Sequence, residues 1–342
     1  MDRLVYRLRA GNINDLKISN EKLNTPYENE VQIKVKAIGL NFADIFAIWG
    51  LYSATPEGAF IPGLEFAGEI IKKGNKVKGF LVGDKVMGVI RFGAYATFLN
   101  IDIRYIRKLP KDWTMKEGAS FLVQVLTAYY ALHELGNLQT NQSVLIHSGA
   151  GGVGLFANRI AKKSNAFTIA SVGSSAKVDF LKKEKYDKVI VRSGRFSKDL
   201  KHCLDGKRLD LILECIGGRI LNESFDHLSP EGRMVVYGAA QFTSKGNRPN
   251  YFKLIWNYIK RPKIDPMKLP ETNRSIMGFN LIWLYQHTEK MDRILNEIEK
   301  LDLAPPHVGH EFEFEELKSA IQLFRSGKTI GKVIINVDHR TK

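Results

Sequence analysis

Across residues 143–240, short aliphatic runs alternate with amphipathic ones, and this alternation restricts the fold more than any other feature of the chain. The aliphatic runs are SVLIHS, FTIASV, KVIVRS, LDLILECIG and RMVVYGAA, and helix-periodic stretches such as SAKVDFLKKEK, FSKDLKHCL and RILNESFDHL lie between them. Segments such as VLI, LILE and MVVY are almost wholly apolar, as strands covered on both faces must be. Alternation of this kind predicts a parallel sheet with crossover helices, a doubly wound α/β unit.

The turn after the first run is rich in glycine. Gly149, Gly151 and Gly154 fit the pattern G-x-G-x-x-G directly after a predicted strand and directly before a predicted helix. The first glycine permits the tight turn, the second lets a pyrophosphate approach the backbone, and the third lets the helix lie close on the strand. Free N–H groups at the helix start then face the anion. The end of the next strand reports which dinucleotide is taken. An NAD site carries Asp or Glu there to bind the ribose 2′-hydroxyl. Here the chain reads ASVGSSAKVD, with Ser174, Ser175 and Lys177 and no acid before Asp179. Hydroxyls and an ammonium in place of a carboxylate point to NADPH, with Arg192 at the end of the third strand as a second cation.

The flanking regions differ in character. Residues 4–106 hold short β-like runs broken by Gly, Asn and Pro. In VQIKVKAI, Val31, Ile33, Val35 and Ala37 alternate with Gln32, Lys34 and Lys36, which predicts a strand with one wet face. Residues 115–135 change to helical periodicity and lead into the doubly wound unit. The tail, HEFEFEELKSAIQLFRSGKTIGKVIINV, reads as helix then strand, and its closing strand has no obvious partner in the doubly wound unit and is free to return to the first domain. A chain of 342 residues exceeds what one core organises.

The formal net charge of +15 raises the question of a polyanionic partner, but the Lys and Arg residues are scattered among acids rather than gathered in a patch. Nucleic acid is therefore disfavoured as the main ligand. Only Cys203 and Cys215 are present, in contexts that suit structural thiols. No segment approaches the roughly eighteen apolar residues of a membrane span. Charges in MDRLVYRLRAGN leave no signal-peptide core, so a cytoplasmic location is expected.

The series GLNFADIFAIWGLY, IPGLEFAGEI, VGDKVMG, GAYATF, LTAYYAL, SGAGGVG, LILECIGG, GRMVVYGAA and GKVIINV resembles the zinc-independent medium-chain dehydrogenase/reductases of the quinone oxidoreductase family. The later segment NRSIMGFNLIWL, preceded by an aromatic and basic insertion, is similar to the vesicle amine transport protein branch. This resemblance implies a GroES-like β-rich catalytic domain, residues 1–124 and 303–342, around a central Rossmann NADPH-binding domain, residues 125–302, with the cofactor between them. Zinc-dependent relatives place a metal-binding Cys where this chain has Asn41 and a His where it has Leu64, so no metal is expected.

The resemblance further implies that Asn41 and Asp44 line the nicotinamide side of the cleft, with Tyr52 beside the substrate pocket as a hydrogen-bond or proton donor. Thr127 meets the carboxamide or its ribose, and Gly152 and Val153 offer backbone to the pyrophosphate. Gly238, Ala239, Gly278 and Phe279 flank the nicotinamide. The implied activity is hydride transfer from NADPH to a quinone or an α,β-unsaturated carbonyl compound, in a homodimer with SIMGFNL near the subunit contact. The alternative is an NADPH-binding adaptor on an anionic membrane surface. It rests on NYFKLIWNYIKRPKIDPMKL, residues 250–269, where Phe252, Ile255, Trp256, Tyr258 and Ile259 interleave with Lys253, Lys260, Arg261, Lys263 and Lys268. A lid over the cleft explains the same residues.

Overall fold

The computed structural model describes residues 1–244 and 246–337. The aliphatic runs form a six-stranded sheet in the order Lys188–Val191, Phe167–Val172, Ser143–His147, Leu211–Glu214, Arg233–Val236 and Ser275–Gly278. Every pairing in it is parallel. The strand order reverses between Ser143–His147 and Leu211–Glu214, which opens a crevice at the carboxyl ends of the strands where doubly wound sheets take ligands. The glycine-rich turn follows Ser143–His147 and therefore sits at that crevice.

A second sheet gathers both ends of the chain. Its order is Val308–Glu313, Lys332–Asn336, Glu30–Gly39, Glu65–Lys73, Lys85–Val89 and Ile106–Lys108, with Phe98–Asp102 also paired to Glu30–Gly39. The closing strand returns to the first domain: it runs antiparallel to Glu30–Gly39, with Ile334 opposite Gly39 and Ile335 opposite Ile38. A smaller sheet joins Lys17–Lys22, Asp2–Arg9 and Ala59–Phe60. The architecture is a GroES-like β-rich domain beside a Rossmann domain. One apolar cluster runs from Ala37, Leu64 and Met87 through Leu122 and Leu126 to Ile146 and Ala157, so the two units share a core. The last residues assigned to the catalytic domain, 338–342, lie outside the described residues. No helix among the described residues is long and apolar enough to cross a membrane.

Three local expectations change. The helical stretch 115–135 is broken into helices Met115–Gly118 and Leu122–Tyr129 and a wider π-helical turn, Tyr130–Leu135. The break has a cause: the Glu65 carboxylate, wholly buried, accepts the Val123 N–H at 3.0 Å and so starts a new helix in place of a preceding turn. Gln32, placed by alternation on the wet face, is buried instead, because its amide donates to Asn24 O and to Asn100 Oδ1 of the neighbouring strand. The tail begins with a strand, Val308–Glu313, before its helix Leu317–Arg325; the alternation in HEFEFE carries it, and it pairs with Lys332–Asn336.

Candidate functional site

A cavity of about 1580 Å³ lies between the Rossmann crevice and the GroES-like domain. Its wall contains Gly151, Gly152, Val153 and Gly154 from the glycine-rich turn and the start of the helix Gly152–Lys163. The glycines divide by what surrounds them. A Cβ on Gly149 would stand 2.7 Å from Ala170 Cβ, and one on Gly154 would stand 2.7 Å from both Gly149 Cα and Ser148 O. These two glycines let helix and strand touch, and the Tyr186 hydroxyl clamps the contact by donating to Gly154 O at 2.7 Å. Gly149 accordingly lies beneath the wall rather than on it. A Cβ on Gly151 would meet only Ser148 O, at 3.3 Å, and its φ of −83° is open to any residue. Its missing side chain leaves room in the cavity, beside the N–H groups of a helix start.

Two cations stand on this wall. Lys177 and Arg192 both line the cavity with Ser174. Burial, reinforced by Arg192, holds the Lys177 ammonium below its ordinary pKa, and burial likewise lowers Arg192. Arg192 donates to Ser171 O and Oγ at 3.1 Å, and Ser171 Oγ in turn lies 2.6 Å from Nδ1 of buried His147. Lys177 Nζ donates to Gly327 O and Thr329 O at 2.7 Å, which ties residues 326–332 of the tail to the cavity rim. Mutually repelling cations in a half-buried wall, with a helix start and an uncrowded glycine beside them, suit a dinucleotide that carries an additional phosphate. Ser174 caps the turn through its Oγ to Ala176 N–H, while Ser175 is exposed and does not line the cavity.

The same wall holds Asn41, Tyr52, Thr127, Gly238, Ala239, Gly278 and Phe279. Thr127 turns its hydroxyl to Val123 O at 2.7 Å. Tyr52 donates to Asn280 Oδ1 at 2.5 Å, and burial pushes its phenol up to about 12, so it keeps its proton at neutral pH. Asp44 stands behind the wall, not on it. Its Oδ2 accepts the Asn41 N–H at 2.8 Å and the Tyr95 hydroxyl at 3.0 Å, closing the start of the helix Phe42–Ile48. Burial raises this carboxyl to about 7. A raised pKa means that the folded state binds the proton more tightly than the unfolded chain, so the contribution to stability is full below the unfolded value and is lost as pH rises through about 7. Asp44→Asn should therefore gain on the natural protein by up to a few kcal/mol (~1.4 per pKa unit) as pH rises from about 5 to 8. Melting both proteins across that range checks this; a constant difference would contradict it.

A buried polar network has almost no signature in the sequence. Lys332 Nζ donates to Glu65 Oε2 at 2.7 Å and to Asn41 Oδ1 at 2.9 Å, and Gln124 Nε2 donates to the same Asn41 oxygen at 2.7 Å. Removing one member of such a pair typically costs about 3–5 kcal/mol. The one signal in the sequence was a lysine opening the apolar run VIIN. Among the described residues no group of three or more His, Cys, Asp and Glu side chains is placed to hold a metal ion.

Two family models match the chain: "Alcohol dehydrogenase GroES-like domain" over residues 27–111 and "Zinc-binding dehydrogenase" over residues 152–296. The human "Synaptic vesicle membrane protein VAT-1 homolog-like" is 29% identical, over 98% of this chain and 81% of its own length. The crystal structure of the human protein of that name has a TM-score of 0.84 at 26% identity, covering 100% of both chains. The CurK enoyl reductase has a TM-score of 0.84 at 26% identity, over 98% of this chain and 99% of its own. A mycobacterial protein, Rv1454c, solved with NADPH, shares the fold with a TM-score of 0.84 at 24% identity, over 98% of this chain and 99% of its own.

Proposed function

We propose that this chain, which belongs to the medium-chain dehydrogenase/reductase family, is an NADPH-dependent reductase that sends hydride to a quinone or to the β-carbon of an α,β-unsaturated carbonyl compound. The observation that carries it is one cavity whose wall holds the bare turn at Gly151, the Lys177–Arg192 pair, Asn41 and Tyr52. NADPH supplies the hydride, and the protein supplies orientation, exclusion of water and a place for new negative charge. The N–H groups at Gly152 and Val153 face the pyrophosphate, and Lys177 and Arg192 take the 2′-phosphate with Ser174 beside them. Thr127, Gly238, Ala239, Gly278 and Phe279 hold the nicotinamide. Tyr52, protonated and hydrogen-bonded to Asn280, donates a proton to the reduced substrate and recovers it from water. Asn41 and Asp44 shape the wall between the two, Asp44 through its hold on Asn41. A cytoplasmic homodimer, joined at the edge strand Ser275–Gly278, completes the proposal.

Support also comes from the enoyl reductase among the similar structures. Purified protein is expected to oxidise NADPH with members of a quinone and enone panel. Protein that binds no NADPH, or binds it and reduces none of them, would sink the proposal.

One observation favours a second reading. The helix Tyr251–Ile259 places Tyr251, Leu254, Ile255 and Tyr258 along the cavity, as a lid would, while Phe252 is 90% exposed and Trp256 57%. Lys260 lies over the Trp256 ring and Arg261 over Tyr258, a mixture suited to the headgroup layer of an anionic bilayer. On this reading the chain is an adaptor that binds NADPH and catalyses little, and the relatives named for vesicle membranes support its membrane side. Flotation with anionic liposomes at moderate salt decides this, and protein left in the unbound fraction would remove it.

A further inference from the structure

The Glu65–Lys332 pair is among the most deeply buried charges in the molecule, at 0% and 3% exposure, and nothing in the cofactor site accounts for it. Its orientation is polar with respect to the cavity. Lys332 and Asn41 lie on the wall and Glu65 does not. Both carboxylate oxygens are engaged on the far side, Oε1 by the Val123 N–H and Oε2 by Lys332. Of the two charged residues, the lysine belongs to the wall and the glutamate lies behind it. Two of the three ammonium protons go to Glu65 and Asn41, and the third has no acceptor among the described residues.

Space for the pair is built in. A Cβ on Gly39 would stand 2.0 Å from Ala119 O, 2.7 Å from Lys332 Cε and 3.1 Å from Glu65 Oε2, so a larger residue there would collide with the backbone at Ala119 and crowd the pair as well. The backbone on the other side is tied as well. Gly331 N–H donates to Ala150 O at 2.8 Å and Lys332 N–H to His307 O at 3.0 Å, which fixes the lysine against the glycine-rich turn. Lys332 thus stands in the wall with its ammonium on Asn41, close to the glycine-rich turn.

We infer that Lys332, oriented by Glu65, is an oxyanion-stabilising residue: its ammonium faces the oxygen of a conjugated carbonyl acceptor and stabilises the negative charge that appears there. The inference deepens the hydride-transfer proposal and rests on it for the identity of the substrate. When hydride forms the new C–H bond at the β-carbon, the C=C pair moves to the bond beside the carbonyl and the C=O pair moves onto oxygen. A proton from Tyr52 or water then completes the reduction. A fixed, preorganised cation acts on that oxygen without reorganising during the reaction. The acceptor class follows: carbonyl-conjugated alkenes and quinones rather than alkenes without a carbonyl.

The test uses 4-nitrophenol, whose phenolate absorbs visibly, as a probe of an oxyanion site, with protein free of cofactor so that the result does not depend on NADPH. Lys332→Met alone leaves a buried carboxylate unpaired, so the variant of choice is E65Q/K332M, which removes both charges. The natural protein is expected to bind the phenolate in preference to the phenol, and the double variant to lose that preference at least tenfold while its melting remains cooperative and its NADPH affinity stays within about threefold. With an enone acceptor, turnover should fall about 100-fold. A probe that does not bind as the phenolate, or that titrates alike in both proteins, would overturn the inference. Phenolate selectivity that depends on Lys332, in a protein that never oxidises NADPH, would instead uphold the oxyanion site and remove the hydride-transfer proposal.

Discussion

Lys177→Ala combined with Arg192→Ala is expected to weaken NADPH binding by about 100-fold while leaving NADH affinity within a few-fold. Each cation would make a charge-assisted hydrogen bond to the 2′-phosphate, worth about 1.5–3 kcal/mol, and the partial exposure of Lys177 trims the sum toward the lower end. At 25 °C about 2.7 kcal/mol corresponds to 100-fold. NADH lacks that phosphate and so has nothing to lose. Isothermal calorimetry with both nucleotides on one preparation separates the two cases. Equal losses for NADPH and NADH would mean that the pair acts on the fold or on the tail loop, through the hydrogen bonds of Lys177 to Gly327 and Thr329.

The second large effect distinguishes glycines within one turn. Gly151→Val should leave thermal stability nearly unchanged and reduce NADPH affinity about 100-fold or more, because a Cβ there meets only Ser148 O, at 3.3 Å, and Gly151 lies on the cavity wall where a side chain competes with the nucleotide for space. Gly154→Val should do the reverse first. Its Cβ would stand 2.7 Å from backbone atoms of Gly149 and Ser148, which cannot step aside as a flexible side chain can. Overpacking of that kind typically costs about 1–3 kcal/mol or more. Urea unfolding and nucleotide titration of both variants give the two readouts. A Gly151 variant that unfolds early, or that binds NADPH normally, would show that the bare backbone has another purpose.

What was legible in the sequence follows the distance over which each feature is determined. The Rossmann sheet and its glycine turn were readable because strand, turn and helix are contiguous, and each residue type answers a local demand. The return of the closing strand was readable because VIIN needs burial and the doubly wound unit has no place for it. Lys332 and Glu65 are 267 positions apart, and no spacing rule joins them. They meet because the closing strand runs beside Glu30–Gly39, next to the strand that carries Glu65. Asp44 was legible as part of the GLNFADIF motif but not as a buried partner of Tyr95, since that contact is made across the fold. The break at residues 119–121 escaped periodicity for the same reason: a distant carboxylate, Glu65, starts the second helix. The exposed aromatics of Tyr251–Ile259 were visible as composition, whereas the division of that helix between cavity and solvent required its place in three dimensions.

In the proposed function the cavity takes a dinucleotide whose extra phosphate rests between Lys177 and Arg192. Calorimetric titration of the natural protein with NADPH and with NADH tests it most directly. The expected result is NADPH bound at least tenfold more tightly, with the difference shrinking as salt is raised. NADH bound as tightly as NADPH, or more so, would contradict it.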